Sequence, residues 1–252
     1  VLQLFVYQDK NRILLDWHFT AWAKYGNWQS DDKIPTHIAA CLNLPTLRPM
    51  TMIKGKETRV VLEGGSIDVN GTGTLLTTEE CLLSDIQCRN PGLSKDGYEQ
   101  IFAKYLGISN VIWLKDGIAG DYTHGHIDDL ARFVNQDTII TVVENNKHDS
   151  NYKPLQENLK RLQSTPFNIV QLPMPKPVMF DGQRLPASYA NFLITNRCVL
   201  VPVFNDPNDR IVLNIMSELF PKHEVLGIYC GDFVWGLGTI HCASQQEIAD
   251  IS

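Results

Sequence analysis

Apolar residues recur at helical spacing in four segments, and shorter apolar runs bracket each one. The helical segments are DDKIPTHIAACL from Asp31, SKDGYEQIFAKYLG from Ser94, SNYKPLQENLKRLQS from Asn151 and DPNDRIVLNIMSELFP from Pro207. Ser94, Ser150 and Asp206 stand where caps belong, and Gly107 and Pro221 where helices stop. The helix starts lie 63, 57 and 56 residues apart.

Two strand-like runs precede each helix and one follows. RVVLEGGSIDV and GTLLTTEE flank Asn70-Gly71, a strong hairpin signal. LARFV and TIITVVE flank Asn135-Gln136-Asp137, and NFLIT and VLVPVF flank Asn196-Arg197. VIWL, NIVQLP and VLGIYC follow the later helices, the opening VLQLFVYQDKNRILLDWHF reads as two strands, and GTIHCAS reads as the strand that starts a fifth unit. Strand, strand, helix, strand, repeated about four times, predicts an α/β propeller with inner strands and outer helices.

Composition narrows the function classes. Hydrophobic residues make up 44% and charged residues 20% of the 252, which excludes a disordered chain. Lys and Arg number 22 against 28 Asp and Glu, a formal charge of −6. That balance argues against a general nucleic-acid binder and mildly favours a cationic small substrate. The six cysteines show neither metal-ligand spacing nor a disulfide framework, so a reducing, cytoplasmic setting is expected. No apolar run reaches the roughly 18 residues of a membrane span, and the start lacks the basic n-region of a signal peptide. The chain begins without Met inside a strand pattern, so the expectation is a single catalytic domain over 1–252 that is incomplete at its N-terminus.

Three segments carry candidate chemistry. In Glu63-Gly64-Gly65-Ser66 a carboxylate precedes two glycines at a strand end, where glycine permits close backbone approach; a β-bulge beside a surface Glu is the plainer alternative. In Asp121-Tyr122-Thr123-His124-Gly125-His126-Ile127-Asp128-Asp129 an extended backbone would put His124, His126 and Asp128 on one side. That grouping suits a metal or an acid–base His beside a carboxylate. In Gly236-Leu237-Gly238-Thr239-Ile240-His241-Cys242 the third glycine and following helix of a dinucleotide fingerprint are missing, so that reading is rejected. His241 and Cys242 would face opposite ways in a strand, so a nucleophilic Cys242 would need a base from elsewhere; an inert core thiol is the competing reading. Trp17, Trp22 and Trp28 read as core or rim aromatics.

Together, DWHFTAWAKYGNW, LEGGSIDVNGTGTLLTTEECLL, GHIDDLARF, LPASYANFLITN, VLVPVFNDP and WGLGTIHCASQQ resemble the agmatine deiminase and bacterial peptidylarginine deiminase family, from about residue 16 to 246 and in the family's order. The resemblance implies the pentein fold, a five-bladed ring of ββαβ units. It also implies a cofactor-free, metal-free guanidine hydrolase of polyamine synthesis, with Cys242 as nucleophile and His126 as acid–base. Asp128 would clamp the guanidinium and Glu63 would orient His126, while Asn191, Asp121, Trp22 and Gly238 would bind substrate. The implied partner is a small cationic guanidine, agmatine, with no nucleic acid or membrane and with room for a homo-oligomer.

Three departures stand out against that pattern. The family's Trp-x-Arg-Asp-x-Gly-Pro segment, whose acid grips the guanidinium opposite Asp128, has no counterpart, so this chain is expected to lack one jaw of the clamp. Tyr122 and His124 stand where agmatine enzymes commonly carry acids, one of which receives the distal amine, and Asp121 is the remaining substitute. Leu237 and Ala243-Ser244 vary mildly around the nucleophile. Three competing readings are a relative acting on arginine in peptides, a metal-dependent amidohydrolase using His124, His126 and Asp128, and a non-catalytic binder.

Overall fold

The computed structural model describes residues 4–248. Its first three-stranded sheet contains β1 (Leu4–Gln8) and β2 (Asn11–Leu15). Helix α1 (Ile34–Leu42) leads to β3 (Thr46–Leu47), which lies parallel to β2. A hairpin of β4 (Met50–Ile53) and β5 (Lys56–Arg59) follows. The second unit runs β6 (Asp68–Val69), β7 (Thr74–Thr78), α2 (Glu79–Leu83), α3 (Lys95–Leu106) and β8 (Asn110–Leu114). The third runs β9 (Ala131–Phe133), β10 (Thr138–Val143), α4 (Tyr152–Gln163) and β11 (Asn168–Pro173). A short hairpin, β12 (Met179–Phe180) with β13 (Gln183–Arg184), precedes the fourth unit: β14 (Leu193–Ile194), β15 (Cys198–Val203), α5 (Asn208–Leu219) and β16 (Glu224–Tyr229).

Each unit therefore pairs its first strand antiparallel to its second and, after a helical crossover, its third parallel to the second. The four expected helices and their periodicity are present. The middle strand is the central one: β7 is wholly buried and β10 nearly so, which explains their continuous apolar runs. The helices cover one side through one stripe, as in α4, where Leu155, Leu159 and Leu162 are buried while Lys160 lies exposed on the far face. One core cluster joins the third and fourth units to Leu76, Ile112 and Leu114 of the second, and another joins the first and second units around Trp17, Tyr98 and Phe102.

Several expectations are corrected. Most of RVVLEGGSIDV is not strand: Arg59 closes the unforeseen hairpin β4–β5, and Gly64–Ser66 form a 3-10 turn. GTIHCAS is no strand either. Ala243 N–H donates to Thr239 O and Ser244 N–H to His241 O, which curls the segment into turns. At α4 the carboxylate of Asp149, rather than Ser150, accepts the Asn151 N–H (2.8 Å). Among the described residues no helix is long and apolar enough to cross a membrane.

Successive units are tied first strand to first strand. Asp68 of β6 accepts Arg132 Nε (2.9 Å) and the Phe133 N–H (2.6 Å) from β9, and Arg132 Nη1 donates to Phe192 O (3.1 Å) just ahead of β14.

Candidate active site

The chemistry-bearing residues come from the segments just ahead of the first strands: Glu63 before β6, His126 and Asp128 before β9, Asn191 before β14. Cys242 sits in the turns after β16. Helix α4 helps aim the middle one. Asn151 Oδ1 accepts the Ala119 N–H (2.7 Å), while Asn158 accepts from Lys115 N–H (2.7 Å) and donates to Asp116 O (2.8 Å). The loop then closes on Asp121, whose carboxylate accepts N–H groups from Thr123 (2.7 Å), Gly125 (2.7 Å) and His126 (3.1 Å). Asp121 lies outside the cavity wall, and its oxygens are committed to building this loop.

His124 does not join His126. At φ 67° the backbone reverses, and the His124 ring lies against Glu80 (3.5 Å) and Ser84 (3.2 Å). The expected row of His124, His126 and Asp128 required an extended segment, and the Asp121-closed loop is not one.

Buried beneath the cavity, Arg89 Nε donates to both oxygens of Glu63 (3.1 and 3.3 Å), and Glu63 Oε2 meets His126 Nε2 at 3.3 Å. Burial by itself would raise the Glu63 carboxyl; the guanidinium of Arg89 and then His126 outweigh it and hold the group at about 2. Burial pulls the His126 imidazole down, but hydrogen bonding with Cys81 and Glu63 lifts it well above its ordinary value. His126 is therefore held as the cation, equipped to give up a proton. Sequence reasoning missed Arg89: one Arg in a Cys-rich turn carries no periodic signal.

Opposite this triad lies Cys242. Its thiol donates to Asp128 Oδ2 (3.4 Å), and the same oxygen meets His241 Nδ1 at 2.7 Å. His241 and Cys242, expected to point apart, thus converge on one carboxylate because their segment turns. The other Asp128 oxygen, Oδ1, is buried with no hydrogen-bond partner; His126 Nδ1 stands 4.0 Å away. Burial favours the neutral form of Asp128, but the hydrogen bond from His241 and the positive charges of His126 and Arg132 keep it ionised. Burial together with Asp128 and Asp121 pushes Asp129 well up, so that carboxyl stays protonated. Cys242 is raised by burial and by the charge of Asp128, so its resting form is the thiol.

Asn191 supports the nucleophile from behind rather than lining the cavity. Its Nδ2 donates to Cys242 Sγ (3.0 Å) and Asp129 Oδ1 (3.0 Å), and its Oδ1 accepts from Thr239 Oγ1 (2.9 Å) and the N–H groups of His241 (3.0 Å) and Cys242 (3.1 Å). Two glycines are required by space. A Cβ on Gly65 would sit 2.6 Å from His126 Nδ1 and 3.0 Å from Asp128 Oδ2, and one on Gly238 would sit 2.6 Å from Cys242 Cβ. The close-approach reading of the Glu63 motif therefore holds in the geometry.

Glu63, His126, Asp128 and Cys242 open onto one cavity of about 600 Å³, with Gly238 in its wall and Trp22, Tyr25 and Tyr122 among the aromatics around it. Trp22 belongs to an unusual turn, Ala21–Ala23, in which three consecutive non-glycine residues have positive φ (46°, 59° and 52°). Such a conformation costs about 1–2 kcal/mol per residue. Gln87 Nε2 holds the turn by donating to Trp22 O (3.0 Å) and, across the gap, to Tyr122 O (3.1 Å). Among the described residues, two sets of side chains have ligand atoms within 4.8 Å of one another: Glu63 with Cys81 and His126, and Asp128 with Asp129 and Cys242. Arg89 already supplies a fixed positive charge beside the first set, whereas the second presents the unpartnered Asp128 oxygen and suits an organic cation with N–H donors.

The sequence profile of the Porphyromonas-type peptidyl-arginine deiminases matches residues 2–247. A Marinomonas protein provisionally named an agmatine deiminase is 34% identical over 258 residues, covering 91% of this chain and 67% of its own. A Cys-to-Ser variant of C. jejuni agmatine deiminase, solved with substrate bound, superposes with a TM-score of 0.90 at 30% identity over 99% of this chain and 72% of that one. The agmatine deiminase of Enterococcus faecalis gives 0.90 at 33% over 99% and 73%. An amidinotransferase from Microseira wollei, at 11% identity and a TM-score of 0.55, shares the fold alone, and the fold common to these proteins is the pentein α/β fold.

Proposed function

Because the chain belongs to the Porphyromonas-type peptidyl-arginine deiminase family, we propose that it hydrolyses agmatine to N-carbamoylputrescine and ammonia, with Cys242 as nucleophile and His126 as acid–base group. The observation that carries this reading is Asp128: one oxygen holds the Cys242 thiol and the other is a buried acceptor with no donor. A guanidinium N–H donated to that oxygen brings the central carbon beside Sγ. The same cation offsets the Asp128 charge that opposes ionisation of Cys242, so substrate itself favours the thiolate.

The steps balance as follows. The Cys242 proton passes to the Asp128–His241 pair as Sγ bonds to the guanidine carbon. His126 gives its proton to one nitrogen, the C–N bond breaks and ammonia leaves, with a thiouronium left on Sγ. Water adds to that carbon and returns a proton to His126. The C–S bond then breaks as the hydroxyl of the adduct becomes the urea carbonyl and gives its proton to solvent, where it converts the released ammonia to ammonium, and Cys242 regains its proton from the Asp128–His241 pair. Glu63 and Arg89 hold the imidazole in place throughout, and Asn191 steadies the thiolate through Nδ2. A product of this kind serves polyamine synthesis, and six free cysteines suit a reducing cytoplasm.

A cavity of about 600 Å³ also has room for a longer guanidine, which favours arginine in peptides as the second reading. The test is ammonia release from agmatine, free arginine and an arginine peptide, by the chain and its Cys242→Ala variant, with and without chelator. Agmatine turnover should resist chelator and fall at least about 10³-fold in the variant. Activity that survives Cys242→Ala overturns the nucleophile, and turnover confined to the peptide selects the second reading.

A further inference from the structure

His241 shares a carboxylate with the neighbouring nucleophile, so it matters which of its ring nitrogens carries the hydrogen. Asp128 Oδ2 meets His241 Nδ1 at 2.7 Å and accepts from the Cys242 thiol at 3.4 Å. Asp128 is ionised and can only accept, so the hydrogen between it and the ring belongs to Nδ1. In an uncharged imidazole the other nitrogen, Nε2, is then bare and acts as an acceptor. That atom faces the amide nitrogen of Gln246 at 3.2 Å, and an amide nitrogen only donates.

Gln246 reaches the ring because the chain folds back on itself. The N–H and Oγ of Ser244 both donate to His241 O (3.0 and 3.1 Å), which turns the segment after the nucleophile. Arg12 of β2 clasps the residues just beyond: its Nη1 meets Glu247 Oε1 at 2.8 Å and donates to Ile248 O (3.3 Å). His241 and Gln246 both belong to the cavity wall, the imidazole buried and the glutamine exposed. Exposure makes the identity of the donor matter. Water at Nε2 donates or accepts and selects neither tautomer, whereas an amide nitrogen there selects one. With its hydrogen on Nε2 instead, the ring would turn a lone pair towards Asp128 Oδ2, the oxygen that also holds Cys242 Sγ.

We propose that Gln246 is a positioning residue of the hydrolase: it keeps the His241 hydrogen on Nδ1, so that Asp128 Oδ2 is shared between ring and thiol and Oδ1 is left for the guanidinium. Its effect reaches the reaction through His241. This rests on the guanidine-hydrolase reading above and adds the group that sets the proton arrangement beside its nucleophile.

The test reads the tautomer directly, from nitrogen–proton correlation spectra of the full chain carrying isotope-labelled histidine, with the His241 signals identified by their loss in His241→Asn. In the parent chain the hydrogen should sit on Nδ1. Gln246→Met keeps the length and removes the donor, and should bring the second tautomer to a measurable share. Gln246→Glu can only accept, and should place a hydrogen on Nε2. In Gln246→Met, kcat/KM for agmatine should fall about tenfold or more, a mild form of the roughly 10⁴-fold loss that an imidazole fixed in the wrong tautomer causes. A merely structural role would lower the urea midpoint and leave the tautomer alone. A hydrogen on Nε2 in the parent, a tautomer that both variants leave unmoved, or one that moves with kcat/KM unchanged overturns the role. Alkylation of Cys242 by iodoacetamide, read by peptide mass, needs no turnover. It should slow about threefold or more in Gln246→Met, because an Asp128 without its Nδ1 donor opposes the thiolate more strongly. If the parent chain releases no ammonia, a tautomer and an alkylation rate that still shift remove the hydrolysis and keep the positioning role, and an alkylation rate that stays put overturns it.

Discussion

Replacing Glu63 with Gln removes one negative charge from a place that water does not reach. Glu63 is 1% exposed, and the pull of Arg89 and His126 outweighs the upward push of burial, taking its carboxyl from 4.5 to about 2. At 1.36 kcal/mol per unit, that difference is about 3 kcal/mol of stability. Because the folded carboxyl is the stronger acid, the contribution is complete above the unfolded value of 4.5 and is lost as pH falls towards about 2. Glu63→Gln should flatten that part of the stability curve. At neutral pH it leaves Arg89 buried without its counter-charge, and removing one partner of a buried pair costs about 3–5 kcal/mol. It also withdraws one of the groups that lift His126, so the alkaline limb of kcat should move to lower pH. Urea unfolding at several pH values and a kcat–pH profile measure both effects. If the variant's stability curve merely runs parallel to the parent's, or its alkaline limb stays where it was, the assignment of Glu63 as the charge that holds His126 protonated is wrong.

Two more substitutions probe the other half of the site. Gly238→Ala puts a methyl where Cys242 Cβ would be 2.6 Å away and Sγ 2.9 Å, so the nucleophile must shift; kcat should fall about 10²-fold and thiol alkylation should change with it. An unchanged alkylation rate would mean the turn absorbs the methyl elsewhere. Asp129→Asn should stabilise the protein at neutral pH: the folded state keeps a proton that the unfolded chain releases above about pH 4, so the parent loses stability as pH rises through that window and the variant does not. Unfolding at about pH 3 and pH 7 checks this, and an equal difference at both would contradict a protonated Asp129.

The repeat was legible because periods of 3.6 and 2 survive divergence: β10 and β15 must be apolar to sit mid-sheet, and α4 must present Leu155, Leu159 and Leu162 to one side. The site was legible in residue type and less so in shape. His124 and His126 looked equivalent, yet Asp121 reverses the backbone between Tyr122 and His126, an effect of hydrogen bonding that no alternation pattern records. The Cys242 segment has a strand-like composition but curls under the hold of Asn191, a residue some 50 positions earlier in the chain. Arg89 was invisible for the same reason: its meaning lies in the company of Glu63, which only the fold supplies.

The placement of the reactive groups ahead of successive first strands has an evolutionary consequence. An acid, an imidazole with its carboxylate and an amide occupy matching stations of neighbouring units, and the thiol takes the corresponding place after the fourth. None of these stations lies within an α-helix or a strand, so exchanging a residue there changes the reaction without disturbing the scaffold's register. Duplication of one ββαβ unit would deliver such stations already aimed at a shared centre. Selection would then have had to write only single side chains, and a library confined to Glu63, His126, Asn191 and Cys242 retraces that search in the shortest number of steps.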